Sequence, residues 1–513
     1  MKREGSATRE APRRFDKVLV ANRGEIAVRV IQAARELGLE TVAVYSEPDR
    51  LAPHVLAAGE AVAIGPAPAS ESYLDVDRLL AAAERTGAGA VHPGYGFLAE
   101  NPAFARAVQE AGLAFVGPSP DAIAAMGDKT EARRRMREAG VPVIPGSEAL
   151  PEDVGSAVET AERVGYPVML KAAAGGGGKG MRVVRSEDEL EGAFRGARSE
   201  ARQAFGDDRI YMERFLPAPR HIEIQVLADE HGTTVHLGER ECSIQRRHQK
   251  LVEEAPSPIL DAEARARMGE VAVAAAEAVD YLGAGTVEFL WEDGEFFFLE
   301  MNTRIQVEHP VTEAVTGVDL VQEQLRVAQG RSLGWRASPD WPRGHAIECR
   351  ISGEDPFGGF LPSTGTVGSL RIPSGPGVRW DGGIAPGSTV GLHYDPLLAK
   401  LVVHAETREA AIRRMRRALD ELVLTGVSTT VPFHRAVMRE PDFTAGRLTI
   451  HYVDEHPDLL EAELDDEDAR WTAAAAALLE EERKTDVRRS GDRGADDRGG
   501  DGRTSWQRAF DPS

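Results

Sequence analysis

Polar and apolar residues alternate most regularly near the middle of the chain. Between residues 300 and 308 every even position is polar or charged (Glu300, Asn302, Arg304, Gln306, Glu308), with Met301, Thr303, Ile305 and Val307 between them. Successive side chains of an extended segment point to opposite faces. The pattern therefore predicts a strand carrying two acids, two amides and a guanidinium on one face. Upstream, residues 286–291 and 295–300 read as two strands joined at Asp293-Gly294, a hairpin signal. A loop with an odd number of residues sets Glu288 and Glu300 on the same face, and a two-residue loop sets them on opposite faces. Neighbouring carboxylates repel unless a cation lies between them. The oxygen donors Glu288, Glu300 and Asn302 suit Mg²⁺ or Mn²⁺, and Mg²⁺ usually keeps phosphate oxygens in its shell. A nucleotide is the expected companion. A salt-bridged surface hairpin would alternate too, but would not need acids at both ends with an arginine between them.

The remaining periodicity divides the chain. Residues 17–21 predict a strand, 25–36 a helix stopped at Gly38, and 40–45 a second strand, a βαβ unit of a parallel sheet. Its turn, Asn22-Arg23-Gly24-Glu25, lacks the G-x-G-x-x-G fingerprint, which disfavours NAD. Strand-helix alternation continues to about Met126. It includes Ala90-Val91-His92 and the turn Pro93-Gly94-Tyr95-Gly96-Phe97, at a strand end where open α/β sheets present their sites. A second unit opens near Asp128, with strands predicted at 168–171 and 181–184 around a glycine-rich loop, 175–180. A Walker A loop is excluded, because Gly180 takes the Ser/Thr position and a strand follows. The loop is expected to fold as a lid over phosphates. Residues 220–226 predict a strand with His221, Glu223 and Gln225 on one face, and residues 239–250 are dense in polar donors. A third unit begins near Trp335. It has a strand at 345–351 with Glu348 and Arg350 on one face, Gly- and Pro-rich turns to 391 that suggest antiparallel β structure, and a helix at 408–422. Beyond His456 the chain is acidic; a helix is expected at 471–484 and disorder at 485–513.

Bulk properties narrow the classes. A chain of 513 residues implies two to four domains. There is no apolar run long enough for a bilayer, and residues 1–14 lack the apolar core of a secretory signal. Only two cysteines, Cys242 and Cys349, argue against a disulfide framework or thiolate metal cluster, a cytoplasmic profile. A net charge of −22 disfavours general nucleic-acid binding. Of eight lysines, Lys129, Lys171, Lys179 and Lys250 sit in Gly-rich or charge-dense motifs. As compact charges they are candidate anion ligands, whereas Lys2, Lys17 and Lys484 have no such setting.

The motifs that carry a resemblance are ANRGEIA at 21–27, HPGYGFLAEN at 92–101, MGDK at 126–129, YPVMLKA at 166–172, GGGGKGMRVV at 175–184, RHIEIQVLAD at 220–229, ERECSIQRRHQKLVEEAP at 239–256, GAGTVEFL at 283–290, LEMNTRIQVEHPVTE at 299–313 and RGHAIECRI at 343–351. From about Phe15 to His456 the chain resembles biotin carboxylase, the ATP-grasp component of biotin-dependent carboxylases such as acetyl-CoA carboxylase. The resemblance implies an α/β and α+β multidomain fold. A Rossmann-like N-terminal parallel sheet would occupy 15–127 and an ATP-grasp domain 128–333, with a mobile glycine-rich lid at about 143–215. A mainly antiparallel C-terminal domain would occupy 334–456, and an acidic, partly helical to disordered tail 457–513.

It also implies an activity: ATP-dependent carboxylation of biotin by bicarbonate through carboxyphosphate, giving carboxybiotin, ADP and phosphate. This is the first half-reaction of acetyl-CoA carboxylase, and equally of propionyl-CoA, other acyl-CoA or pyruvate carboxylases. By resemblance Lys129, Lys171, Gly176, Gly177, Gly178, Glu213, His221, Gln245, His248 and Glu288 would hold ATP. Glu288, Glu300 and Asn302 would hold two Mg²⁺ or Mn²⁺ ions. Lys250, Arg304, Gln306, Val307 and Glu308 would bind bicarbonate, with Glu308 as general base. Arg350 would stabilise the biotin enolate beside Tyr95. A carboxylate base flanked by lysine and arginine suits removal of a reluctant proton, since the cations stabilise the dianion. No Ala/Val-Met-Lys-Met attachment motif is present. Biotin is therefore expected on a separate biotin carboxyl carrier protein, with a separate carboxyltransferase and a homodimeric enzyme, and with no nucleic-acid or membrane partner. Ala173-Ala174 stands where many members have Ser-Gly, the lid has one glycine fewer, and Pro396 and Ala399 are closer to acyl-CoA or pyruvate carboxylase relatives. Other ATP-grasp ligases share the metal acids and the lid but not the combined RRHQK, EMNTRIQVEHPVTE and ECRI motifs. An inert nucleotide-binding protein is disfavoured because every implied role has a competent side chain.

Overall fold

Strand Lys17–Val20 is an apolar run, and such runs belong to parallel sheets covered on both faces. In the computed structural model, which describes residues 15–150, 153–173, 181–334 and 342–461, it lies at the centre of the first sheet. It runs parallel to Glu40–Ser46 on one side and Ala90–His92 on the other. Helix Gly24–Glu36 makes the expected crossover, and Gly38, at φ +77°, supplies the left-handed stop. The sheet order is Glu60–Gly65, Glu40–Ser46, Lys17–Val20, Ala90–His92, Ala114–Phe115, all parallel.

The site is built on a second, antiparallel sheet of eight strands among the described residues. Its order is Glu295–Asn302, Gly283–Glu292, Arg220–Ala228, Thr234–Arg246, Gln249–Ala255, His345–Ser352, Leu397–Ala405, Val378–Gly382. Because Gln249–Ala255 pairs with His345–Ser352, the sheet runs unbroken across residue 334, where the sequence suggests a new unit. A smaller antiparallel sheet (Gly146–Ala149, Ile210–Arg214, Val168–Ala172, Arg182–Val184) packs on helices Val154–Val164 and Glu187–Phe205 through Ala161, Leu170 and Phe194. The glycines of the expected lid, the first fourteen residues and the expected helix at 471–484 lie outside the described residues.

One sequence expectation is corrected. Residues 300–308 are not a continuous strand: the strand ends at Asn302, and an irregular turn leads into helix His309–Thr316. Pro310 occupies the first turn of that helix, where its missing N–H costs nothing. The polar residues of the turn find separate partners rather than a ladder. No helix among the described residues is long and apolar enough to cross a membrane.

Candidate active site

Asp293 and Gly294, both at positive φ, form a two-residue turn with Glu292 opposite Glu295. Such mirror-image turns match strand twist. By parity alone this turn would put Glu288 and Glu300 on opposite faces. It does not, because the register slips by one residue: Phe289 faces Phe298, while Glu288 faces Glu300. Leu299 is the extra residue of a β-bulge, and it returns Glu300 and Asn302 to the face of Glu288. Glu288 is buried, whereas the Glu300 side chain is 40% exposed, 3.6 Å from Lys129 Nζ.

A second irregularity aligns strand Gln249–Ala255, which two strands separate from Gly283–Glu292. Leu251 and Val252 are consecutive, yet both enter the same apolar core, and the register against Thr234–Arg246 shifts there. Lys250 and Glu253 consequently both face the site. Lys250 Nζ donates to Glu223 (2.5 Å), Glu288 (2.8 Å) and Glu308 (2.6 Å). Arg350 clamps the other side, donating to Glu308 Oε2 (2.9 Å) and Glu253 Oε1 (2.5 Å). Glu308 is therefore held between an ammonium and a guanidinium. Gln306 Nε2 donates to Glu288 (2.7 Å) and to Asn302 Oδ1 (2.9 Å). Beneath them lies Arg240, fully buried, which donates to Glu223, Gln225, Thr286, Gln306 and Thr312.

The charges follow from this packing. Burial alone would raise the Glu308 carboxyl, but Lys250, with Arg350 and Arg240, holds it below its ordinary value. Burial likewise opposes ionisation of Glu288, and Lys250 and His221 overcome it. His221 would be lowered by burial, yet Glu288, 3.3 Å away, pushes it up to about 9. Burial raises Glu253 to about 7, with Arg350 opposing and Glu308 reinforcing the rise. Its cross-strand partner Glu348 is raised well above the carboxylate range, burial again leading.

The other expected residues fall as follows. Lys171 pairs with Glu213 (2.5 Å), and Arg133 also binds Glu213. Gln245 is buried opposite Lys250. His248 is exposed at the tip of a two-residue turn with Arg247, both at positive φ, and makes none of the contacts that tie the cluster. Arg304 turns to Glu100 (2.9 Å) and Asn302 (3.0 Å). The Val307 carbonyl accepts from Lys400 (2.8 Å), and the Tyr95 hydroxyl donates to Glu25. Gly176, Gly177 and Gly178 lie outside the described residues. The sequence reading assigned no role to Arg240, Glu253, Lys400, Glu25 or Glu100. Arg240 lies within the donor-dense stretch 239–250, which marked the segment but gave no partner for it.

The donor set fits a divalent cation. Glu288 and Glu300 face each other across two paired strands and Asn302, two residues on, shares their face, the all-oxygen chemistry that Mg²⁺ prefers. An adjacent group, His221, Glu223 and Glu288, brings three donor atoms within 4.8 Å of one another but includes a nitrogen.

Comparisons with known proteins agree along the chain. Residues 14–123 match the model described as biotin carboxylase, N-terminal domain. Residues 128–336 match carbamoyl-phosphate synthase L chain, ATP binding domain, and residues 348–455 match biotin carboxylase C-terminal domain. The chain is 53% identical to a biotin carboxylase of Haemophilus influenzae, over 86% of this chain and 98% of that one. It is also 53% identical to a pyruvate carboxylase subunit of Methanothermobacter thermautotrophicus, over 88% and 92%. Among solved structures it is similar, at TM-score 0.82 and 47% identity, to the biotin carboxylase domain dimer of Hydrogenobacter thermophilus 2-oxoglutarate carboxylase in complex with MgADP, ADP and bicarbonate. That match covers 88% of this chain and 100% of that one. A Campylobacter jejuni biotin carboxylase in complex with a β,γ-ATP compound is similar at TM-score 0.82 and 46% identity, covering 86% and 99%.

Proposed function

The chain belongs to the biotin carboxylase family, and from that premise we propose that it carboxylates biotin on a separate carrier protein, using ATP and bicarbonate. The observation that carries the reading is Glu308, buried and ionised between Lys250 and Arg350 beside the facing acids Glu288 and Glu300.

Glu308 takes the proton of bicarbonate, and Lys250 and Arg304 stabilise the resulting dianion. A carbonate oxygen bonds to the γ-phosphorus of ATP as the bond to the β,γ-bridging oxygen breaks, giving carboxyphosphate and ADP. Lys129, Lys171 and the glycine loop neutralise the phosphates, while Glu213, His221 and Gln245 complete the nucleotide site. A divalent cation held by Glu288, Glu300 and Asn302 would neutralise charge on the phosphate oxygens. Carboxyphosphate yields CO₂ and phosphate, the phosphate takes the ureido proton of biotin, and the biotin nitrogen bonds to CO₂. Arg350, kept in direction by Glu253, stabilises the enolate, and Tyr95 borders the biotin.

The proposal extends to the divisions 15–127, 128–333 and 334–456, to Mg²⁺ or Mn²⁺ as the ion, and to a homodimer, which the dimeric Hydrogenobacter relative supports. A carrier protein and a carboxyltransferase would complete the cycle. The half-reaction is common to acetyl-CoA, propionyl-CoA and pyruvate carboxylases, and we propose acetyl-CoA carboxylase, hence fatty acid synthesis, first. A cytoplasmic setting is proposed from the two cysteines, both free and buried.

The test is phosphate release from ATP by purified protein with Mg²⁺, with and without bicarbonate and free biotin. Release that requires bicarbonate and rises with biotin supports the reading; release indifferent to both overturns it.

A further inference from the structure

Lys400 takes no part in the half-reaction above, yet it is fully buried. It lies on strand Leu397–Ala405, opposite Arg350 on one neighbouring strand and Asp381 on the other. Directly opposed residues share a face, so Arg350, Lys400 and Asp381 form one row across three strands. Lys400 Nζ donates to the Val307 carbonyl at 2.8 Å and stands 3.2 Å from Glu25 and 3.8 Å from Asp381. Glu25 in turn accepts from the Tyr95 hydroxyl.

A buried ammonium is costly unless it is paired and hydrogen-bonded. Asp381 does not require Lys400 for neutralisation, because Arg379 already binds both its oxygens at 2.7 Å. The shortest contact of Lys400 is with Val307. The Val307 carbonyl and the Glu308 N–H belong to one planar peptide, so a hold on that oxygen sets the direction in which Glu308 leaves the chain. The second contact, through Glu25, reaches Tyr95 in the turn 93–97 that follows strand Ala90–His92. Three distant segments thus meet at a single nitrogen: helix Gly24–Glu36, the turn before helix His309–Thr316, and the C-terminal strands.

Resting on the biotin carboxylase reading, we propose that Lys400 is a positioning residue: it pins the Val307–Glu308 peptide and, through Glu25, the Tyr95 hydroxyl, fixing the base Glu308 relative to Tyr95, which that reading sets beside biotin. Small misplacements of a reacting group cost up to about 100-fold in rate.

The experiment compares the full-length wild type, Lys400→Met, and Lys400→Met combined with Glu25→Gln, which removes the carboxylate that the first change leaves uncompensated. Bicarbonate-dependent phosphate release, the KM for ATP and ADP affinity are measured for each. In both variants kcat/KM for bicarbonate falls roughly 10- to 100-fold while ADP affinity and the KM for ATP stay within about twofold. Should Lys400→Met fail to fold, the double variant carries the same comparison. Full recovery in the double variant would mean that only buried charge was at stake and would overturn the positioning role, as would an equal loss of ADP affinity. A bicarbonate-dependent wild type with Lys400→Met indistinguishable from it overturns the role of Lys400 alone. A wild type indifferent to bicarbonate overturns the functional reading and this role with it.

Discussion

Lys250 Nζ lies 2.6 Å from Glu308 Oε1, and it is the foremost attraction that keeps this buried carboxyl ionised. The folded pKa lies below the ordinary 4.5, so Glu308 is a free base throughout the neutral range and is lost as a base only as pH falls through that lowered value. In Lys250→Met, burial and the neighbouring Glu223 are opposed by Arg350, Arg240 and Arg304 without the foremost attraction. The acid limb of bicarbonate-dependent phosphate release then moves to higher pH, and the neutral rate falls on the order of 100-fold. A pH–rate profile of both proteins checks this; an unmoved acid limb would remove Lys250 as the cause.

Glu300 is half-exposed and holds up no core. Glu300→Gln should leave stability within about 0.5 kcal/mol, measured by urea denaturation, yet weaken Mn²⁺ binding in the presence of ADP by about tenfold or more. Paramagnetic relaxation or calorimetry reads the affinity, and equal affinity in the two proteins would exclude Glu300 as a ligand.

Arg240 is different. Its guanidinium serves five residues from four segments and is wholly enclosed. Arg240→Met strands the Glu223 carboxylate with only Lys250 and His221 near it and should cost about 3–5 kcal/mol of stability. Arg240→Lys should recover little of this, because an ammonium cannot reproduce the planar fork. Denaturation midpoints of the three proteins decide the matter.

His221 makes stability depend on pH in a defined window. Burial opposes its protonation, but Glu288 raises its pKa from 6.5 to about 9. A folded value above the unfolded one contributes stability that is complete below pH 6.5 and is lost as pH rises through about 9. The stability difference between wild type and His221→Gln should therefore shrink across that interval. Saturating Mg²⁺ should lower the His221 pKa, because the cation competes for Glu288; urea denaturation across the pH range checks the first effect and an NMR titration of the imidazole the second.

The residue pattern alone determined much of this protein. Local alternation and glycine stops reported the βαβ unit at residues 17–46, since each strand or helix must bury one face and turn at its ends. The motif stretches carried the resemblance to biotin carboxylase, and it was the resemblance that implied Lys250, Arg304, Glu308 and Arg350 as one set. The register that unites the site was not legible. Whether Glu288 faces Glu300 depends on the bulge at Leu299, and whether Glu253 joins Lys250 depends on a second irregularity at Leu251 and Val252. One extra residue inverts every later side chain, and nothing in the local pattern marks where the extra residue sits. The partners of Arg240 and the buried role of Lys400 were not legible for a related reason. A charge can be enclosed only when partners come to it from elsewhere in the chain, and for Lys400 these lie as far away as Glu25 and Val307. The alternation determined which faces were polar; tertiary packing alone decided which polar residues meet, because pairing register and the enclosure of charge are set between segments rather than within them.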